Sequence, residues 1–141
     1  MTITTKETTA TAGRVLLATL FLLSGAAKVG APAATLAYIQ SSGMPFPTLG
    51  YAGAIGVELG LASLLVIGAQ TRLVALLMAA FAVVTAVLFH NSLGDQGQFI
   101  NFFKNISIAG GLLQVAAFGG GALSVDGWLA RRRANSSLQA V

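Results

Sequence analysis

Four long apolar segments constrain this chain more than any other feature of its sequence. A helix that crosses a bilayer needs about 20 mostly apolar residues, with a range near 17–25. The segments that meet this requirement are 14–30, 51–69, 72–90 and 102–123. We therefore predict an all-α, polytopic membrane protein, a four-transmembrane-helix up-down bundle that forms one domain over residues 1–141.

The composition indicates that water is not the main solvent of this chain. Only 9% of its residues are charged and 55% are hydrophobic, and the mean hydropathy is +0.81, whereas soluble domains carry about 25% charged residues. The net charge is +4, but no basic stripe is interleaved with aromatic residues, so we expect no nucleic-acid partner. The chain has no cysteine and one histidine, so we predict no metal site, disulfide or thiolate nucleophile. Redox work would therefore need a bound organic molecule or a cofactor on another chain.

The longest connection, between the first two spans, predicts a short structured element. It reads APAATLAYIQSSGMPFPTLG, and Pro32 suits the first turn of a helix. The stretch SSGMPFP then ends that helix, because glycine and proline interrupt regular structure. We expect a short interfacial helix or a re-entrant segment here, and flexible tails at 1–12 and 130–141.

Basic residues are distributed unevenly between the two sides of the predicted bundle. With four spans, both tails and the loop near the third span lie on one side. That side carries Lys6, Arg14, Arg72, Arg131, Arg132 and Arg133. Because cytoplasmic loops are enriched in lysine and arginine, we expect both termini in the cytoplasm and the lipid bilayer as a partner.

One carboxylate, Glu58, lies inside the second apolar segment. A charge at the centre of a bilayer costs at least about 2.5 kcal/mol, so such groups face the bundle interior and pair with one another. An up-down topology brings Lys28, Glu58, His90, and the adjacent pair Lys104 and Asn105 to the outer half of the bundle. Glu58 is then compensated by Lys28, by Lys104 or by His90, and the sequence leaves these three open.

These polar residues are the candidate site. Glu58 and His90 are the catalytic candidates, because a carboxyl and an imidazole can both relay protons. The candidate pocket for a quinone or an anion is Lys28, Tyr51, Glu58, His90, Lys104 and Asn105. Simpler roles are open as well, because the lysines could extend to the interface and His90 could cap a helix end.

The sequence around these polar groups resembles the DoxX family. GRVLLATLFLLSGAAKV resembles the first span of that family, GVELG its second-span glutamate and LFHN the end of its third span. FFKNISIAGGLL resembles the fourth span, and GGGALSVDGWL, which contains Asp126, resembles the closing segment. The resemblance covers Gly13 to Trp128. The sequence departs from some relatives at Ser92, where an aromatic residue often follows the His-Asn pair.

The resemblance implies a multi-pass protein of the bacterial inner membrane, with a loose link to quinone chemistry through the membrane subunit of a thiosulfate:quinone oxidoreductase. We therefore expect an integral membrane subunit of a redox system, with quinone as the candidate cofactor. Its partners would be other membrane or soluble redox subunits, or further copies of the chain. Two alternatives are a non-enzymatic anchor, assembly or docking protein whose charge cluster is structural, and a small-solute or proton pathway.

Overall fold

The structure is a computed structural model that describes residues 4–139. Helices dominate this part of the chain and no strand occurs in it, which confirms the all-α prediction. The helices are α1 (Thr5–Gly30), α2 (Pro32–Ser41), α3 (Pro47–Ile67), α4 (Thr71–Phe89), α5 (Gln96–Phe118) and α6 (Val125–Gln139). Among the described residues, three helices are long and apolar enough to cross a membrane, namely α1, α3 and α4.

Helix α5 has the length of a span but a more polar sequence. It contains 23 residues, and Gln98, Asn101, Lys104 and Asn105 all lie in its first half. By length and composition alone α5 does not meet the criterion that α1, α3 and α4 meet, so the described helices do not confirm the predicted count of four spans.

Both ends of the described chain are more helical than the sequence suggested. A capping box starts α1 at Thr5, because the Thr4 side chain accepts from the backbone N–H of Glu7 and the Glu7 carboxylate accepts from the N–H of Thr4. Residues 5–12 are therefore helical, and residues 130–139 are helical as part of α6, although both were expected in flexible tails. Residues 1–3 and 140–141 of those tails lie outside the described residues.

The connections follow the local turn chemistry. Helix α2 begins at Pro32 as predicted, and the chain leaves it at Gly43, which has a positive φ of 79°. Asp95 caps the start of α5 by accepting from the N–H of Gln98 at 2.8 Å. The same helix ends at Gly119, again with φ 79°, so residues 119–123 are not part of a helix, contrary to the predicted span 102–123.

The buried core lies between the two ends of the bundle, close to the end of α3 and the start of α4. Its largest fully buried apolar side chains are Leu65, Met78 and Leu112, each with 0% exposure. Alanines with 0% exposure surround them and let the helices approach closely. We call Ala18, Ala62, Leu65, Ala75, Met78 and Leu112 the apolar layer. Polar clusters occupy the two ends of the bundle on either side of this layer.

Candidate functional site

The buried carboxylate of Glu58 is paired with Lys28. The Lys28 ammonium donates to both carboxylate oxygens at 2.8 Å. Ser24 connects the two, because its Oγ accepts from Lys28 at 2.8 Å and donates to Glu58 Oε1 at 3.3 Å. The side chain of Glu58 is only 6% exposed and that of Lys28 is 26% exposed. Of the three cations considered from the sequence, Lys28 is therefore the partner.

The local structure of two helices positions this ion pair. Glu58 lies on a single π-helical turn, Gly56–Leu61, within α3; such turns are frequent at functional sites. Opposite it, Gly25 allows α1 to approach, because a Cβ at this position would lie 2.7 Å from Leu59 Cδ2 and 3.0 Å from Glu58 Cβ. A larger residue at 25 would therefore push α1 away from the carboxylate.

The ion pair faces a cavity of about 250 Å³, which we call the Glu58 cavity. Its polar lining comes from α1, α2, α3, α4, the residue that follows α4, and α5. The polar residues are Ser24, Lys28, Thr35, Glu58, Thr85, His90, Lys104 and Asn105. Its walls are aromatic and aliphatic, formed by Leu20, Phe21, Tyr38, Ile39, Phe81, Phe89 and Ile108.

His90 and Lys104 lie on the side of the cavity where α4 ends and α5 begins. His90 Nδ1 is 2.8 Å from Gln98 Oε1. When Nδ1–H donates to this oxygen, Nε2 of the neutral ring keeps a lone pair that can take up a proton. The Lys104 ammonium donates to Asn101 Oδ1 at 2.7 Å. Neither His90 nor Lys104 is hydrogen-bonded to Glu58 within the described structure, so both polar groups line the cavity separately from the ion pair.

Helix α2 covers one side of the cavity. Thr35, Tyr38 and Ile39 contribute to its lining, and Ile39 is 4% exposed. The ring of Tyr38 stacks on Phe89, with centroids 5.6 Å apart and an interplanar angle of 21°. The segment that the sequence predicted as a short helix therefore forms part of the candidate site.

Comparison with known proteins identifies the family. The model of the DoxX family matches residues 9–91, which include Lys28, Glu58 and His90. The chain is 35% identical to the inner membrane protein YqjF of Escherichia coli K12 over 113 residues, 80% of this chain and 85% of that protein. It is 36% identical to the inner membrane protein YphA of the same organism over 118 residues, 80% of this chain and 84% of that protein. This chain belongs to the DoxX family. No solved structure matches it.

The structure of this DoxX protein brings most of the predicted site residues together. Lys28, Glu58, His90, Lys104 and Asn105 all line the Glu58 cavity. The sixth candidate, Tyr51, is not in the lining. Its hydroxyl donates to the backbone carbonyl of Lys28 at 3.3 Å, so it holds the end of α1 beside the site.

The site residues predicted from the sequence did not include the aromatic walls or three polar partners. Ser24 precedes Lys28 by four residues and so shares its helix face. Gln98 and Asn101 are the partners of His90 and Lys104. The chain gave no signal for the packing of α2, because the contact between Tyr38 and Phe89 joins residues far apart in sequence.

A second polar cluster lies at the opposite end of this DoxX bundle. The carboxylate of Asp126 accepts from the N–H groups of Gln70 and Thr71 at 2.8 Å each, and from the Thr71 hydroxyl at 2.7 Å. The Asp126 N–H donates to the carbonyl of Gly68 at 3.0 Å. Because the first N–H groups of a helix have no partner within it, Asp126 caps α4 from a distant part of the chain.

Arg14 belongs to the same cluster. Its side chain is 2% exposed, and Nη2 donates to the carbonyl of Leu123 at 2.9 Å. The guanidinium packs against Gly68 and Ser124, where a Cβ on Gly68 would overlap it. The sequence analysis counted Arg14 only among the basic residues of one side of the bundle, and the structure buries its side chain in this cluster.

Proposed function

We propose that this DoxX protein is an integral membrane subunit of a redox system and that it binds a quinone headgroup in the Glu58 cavity. One observation carries the proposal: a buried ion pair, a histidine and a second lysine line the same aromatic-walled cavity. Ligand sites are mostly apolar with a few convergent polar groups, and the Glu58 cavity has this composition.

The size and rim of the cavity fit a single ring. Pockets for drug-sized ligands begin at about 300 Å³, and the Glu58 cavity is slightly smaller at about 250 Å³. Leu20 lines the cavity and is 46% exposed, so one wall of the cavity is formed by a residue at the outer surface of α1. An isoprenoid tail would leave there, along the lipid-facing side chains.

The chain supplies donors and proton carriers for such a headgroup. Lys104 and Asn105 can donate hydrogen bonds to carbonyl oxygens. His90 can hold a proton on Nε2 while Gln98 fixes its ring through Nδ1. A quinone, when bound, supplies two-electron, two-proton chemistry. Because the chain has no cysteine and one histidine, the electrons would come from another protein or from a substrate that reacts with the quinone directly.

The two alternative functions account for less of this geometry. A structural charge cluster explains the pairing of Lys28 with Glu58, but it gives no role to His90 and Lys104 facing the same cavity. A pathway across the membrane would have to pass the apolar layer, in which Leu65, Met78 and Leu112 are fully buried.

The proposed membrane arrangement has four spans, with α5 as the fourth. Helix α5 is 23 residues long and packs along α4, and the polar residues in its first half line the Glu58 cavity or hydrogen-bond to residues that do. This arrangement places both termini on the arginine-rich side, which we propose is cytoplasmic. The named relatives are inner membrane proteins, and we propose the same location here.

The test is the quinone content of the purified protein. The protein is extracted in mild detergent and its bound quinone is quantified by mass spectrometry, for the wild type, Glu58→Gln and Lys104→Ala. We expect near-stoichiometric quinone in the wild type. Lys104→Ala should lose about tenfold or more of its affinity, the loss typical of a removed hydrogen bond to a charged group.

Matched controls come from charges outside the cavity. Glu7→Gln keeps a capping-box side chain at the start of α1, and Lys6→Ala removes an exposed lysine, so both should retain quinone. All variants are checked for a monodisperse elution profile. Absence of quinone from a well-folded wild type would refute the proposal, and poor folding of both cavity variants would favour a structural cluster.

A further inference from the structure

From Arg132 onwards, α6 makes no hydrogen bond to another element among the described residues. Every side chain from Trp128 to Ser137 is exposed, although the helix continues to Gln139. Isolated helices of this length are marginal in water, because nucleation is costly and few hydrogen bonds follow it. The exposed side chains of this helix are therefore available to a further surface.

The exposed face of α6 combines apolar and cationic side chains. At about 100° per residue, Val125, Trp128 and Leu129 share one face, Arg132 lies within that face, and Arg131 and Arg133 lie on its two sides. Long arginine side chains can extend towards charged groups while their stems lie along apolar surface. A tryptophan and a leucine beside clustered arginines are features of helices that lie in the plane of a membrane interface.

The guanidinium of Arg132 lies over the ring of Trp128. Its guanidinium carbon lies 4.3 Å from the centroid of Trp128, a distance typical of a cation–π contact. Arg131 reaches back and donates to the carbonyl of Ala122 at 3.0 Å. The acidic groups nearby are already engaged, since Asp126 caps α4 and Glu7 caps α1.

The start of α6 lies at the edge of the apolar part of the bundle. Asp126 ties it to Gln70 and Thr71, where α4 begins. Phe118, which ends α5, is 78% exposed, as expected of a side chain in lipid. The helix therefore leaves the bundle at the depth where apolar surface gives way to polar groups.

We propose that α6 is an interfacial helix whose three arginines, Arg131 to Arg133, bind the phosphate groups of anionic phospholipids in the adjacent leaflet. Charge complementarity selects this occupant, because three consecutive arginines lie beside an exposed tryptophan and no acidic residue occurs between Asp126 and the end of the helix. Clustered basic residues next to a membrane segment attract anionic lipid.

The test uses Trp128, the single tryptophan of the chain, as a fluorescent reporter. Full-length protein is reconstituted in bilayers of phosphatidylcholine and phosphatidylglycerol of one fixed composition. Bromine is placed on the acyl chains of either lipid, at equal mole fraction. We expect brominated phosphatidylglycerol to quench Trp128 about twofold or more strongly than brominated phosphatidylcholine, because the arginines enrich the anionic lipid around it.

Two variants separate charge from packing. In R131Q/R132Q/R133Q the two lipids should quench equally, whereas R131K/R132K/R133K should keep the excess. If the glutamine variant does not fold, raising the salt concentration should remove the excess in the wild type. Equal quenching of the wild type by both lipids overturns the proposal. Quenching by neither lipid also overturns it, and is the result expected if an acidic protein covers this face.

Discussion

Lys28 and Glu58 differ in how well each tolerates the loss of its partner. The Glu58 side chain is 6% exposed and lies against α1, whereas that of Lys28 is 26% exposed and reaches the cavity. A buried charge without a partner is strongly destabilising, while a partly solvated one keeps some hydration. Loss of the partner should therefore destabilise the fold more when Glu58 is left unpaired than when Lys28 is.

This difference predicts an asymmetric pair of variants. Lys28→Met should lower the free energy of unfolding by about 3–5 kcal/mol, because it leaves Glu58 buried and unpaired. Glu58→Gln should be milder, since Lys28 and Ser24 can still donate to the amide oxygen. The measurement is unfolding by increasing mole fractions of sodium dodecyl sulfate, followed by circular dichroism.

The double variant Lys28→Met/Glu58→Gln provides the internal control. It should be more stable than Lys28→Met alone, because no buried charge is left. If the double variant is as unstable as the single one, the loss comes from packing around residue 28 and not from the ion pair.

At the level of helices, the start of α4 depends on a residue from another helix. Gln70, which precedes α4, has φ 46° and no side-chain cap hydrogen bond of its own. Burial raises the pKa of the Asp126 carboxyl, but hydrogen bonds from Thr71 and Gln70, with the charge of Arg14, outweigh this and hold the pKa below its usual value. The ionised carboxylate is thus the form that the fold stabilises.

Asp126 should therefore make stability depend on pH at the acidic end. A carboxyl whose pKa is lower in the folded chain contributes stability above its unfolded pKa of about 3.9, and that contribution is lost as the pH falls through the folded value. Asp126→Ala should cost about 1–3 kcal/mol near neutral pH, and its stability should fall less steeply below about pH 4. Thermal unfolding measured from pH 7 to pH 3 checks both. If the stability of Asp126→Ala falls as steeply with decreasing pH as that of the wild type, Asp126 is not the group responsible for the loss.

The helices illustrate what the sequence could and could not predict. Hydropathy and proline placement located α2, α3 and α4 to within a few residues, because burial in lipid and backbone chemistry are encoded locally. The predicted ends of α5 were wrong, because Asp95 and Gly119 set the ends of this helix through capping geometry, which hydropathy does not detect. The alternating direction of the helices was enough to predict that the polar residues meet at one end of the bundle. The partner of Glu58 could not be predicted, because it depends on how α1 is rotated against α3, and tertiary packing at Gly25 decides that rotation.

At the level of the whole molecule, the apolar layer separates the two polar ends. On α1, α3 and α4, the residues of the apolar layer lie between the groups of the Glu58 cavity and those of the Arg14–Asp126 cluster. In the proposed membrane arrangement, protons that enter or leave the cavity would therefore exchange with one side of the membrane. A redox reaction at this site would release or take up protons on that side alone.

We expect proteoliposomes that contain this protein to leak protons no faster than protein-free liposomes. Glu58→Gln should leave this leak unchanged, because the fully buried apolar side chains of Leu65, Met78 and Leu112 separate the two polar ends within the described residues. The measurement uses a pH-sensitive dye trapped inside the vesicles after an external pH jump. A flux in the wild type that Glu58→Gln abolishes would instead favour a proton pathway.

The cap on α4 has a consequence for the order in which the protein is completed. Residues Gln70 and Thr71 emerge from the ribosome 55 residues or more before Asp126, the group that satisfies their N–H donors. Until Leu123 and Asp126 are synthesised, the turn between α3 and α4 lacks its acceptor and Arg14 lacks the carbonyl of Leu123. This end of the bundle is therefore completed only after Asp126 has been added, and a chain that stops short of Asp126 would leave the N–H groups of Gln70 and Thr71 without that acceptor.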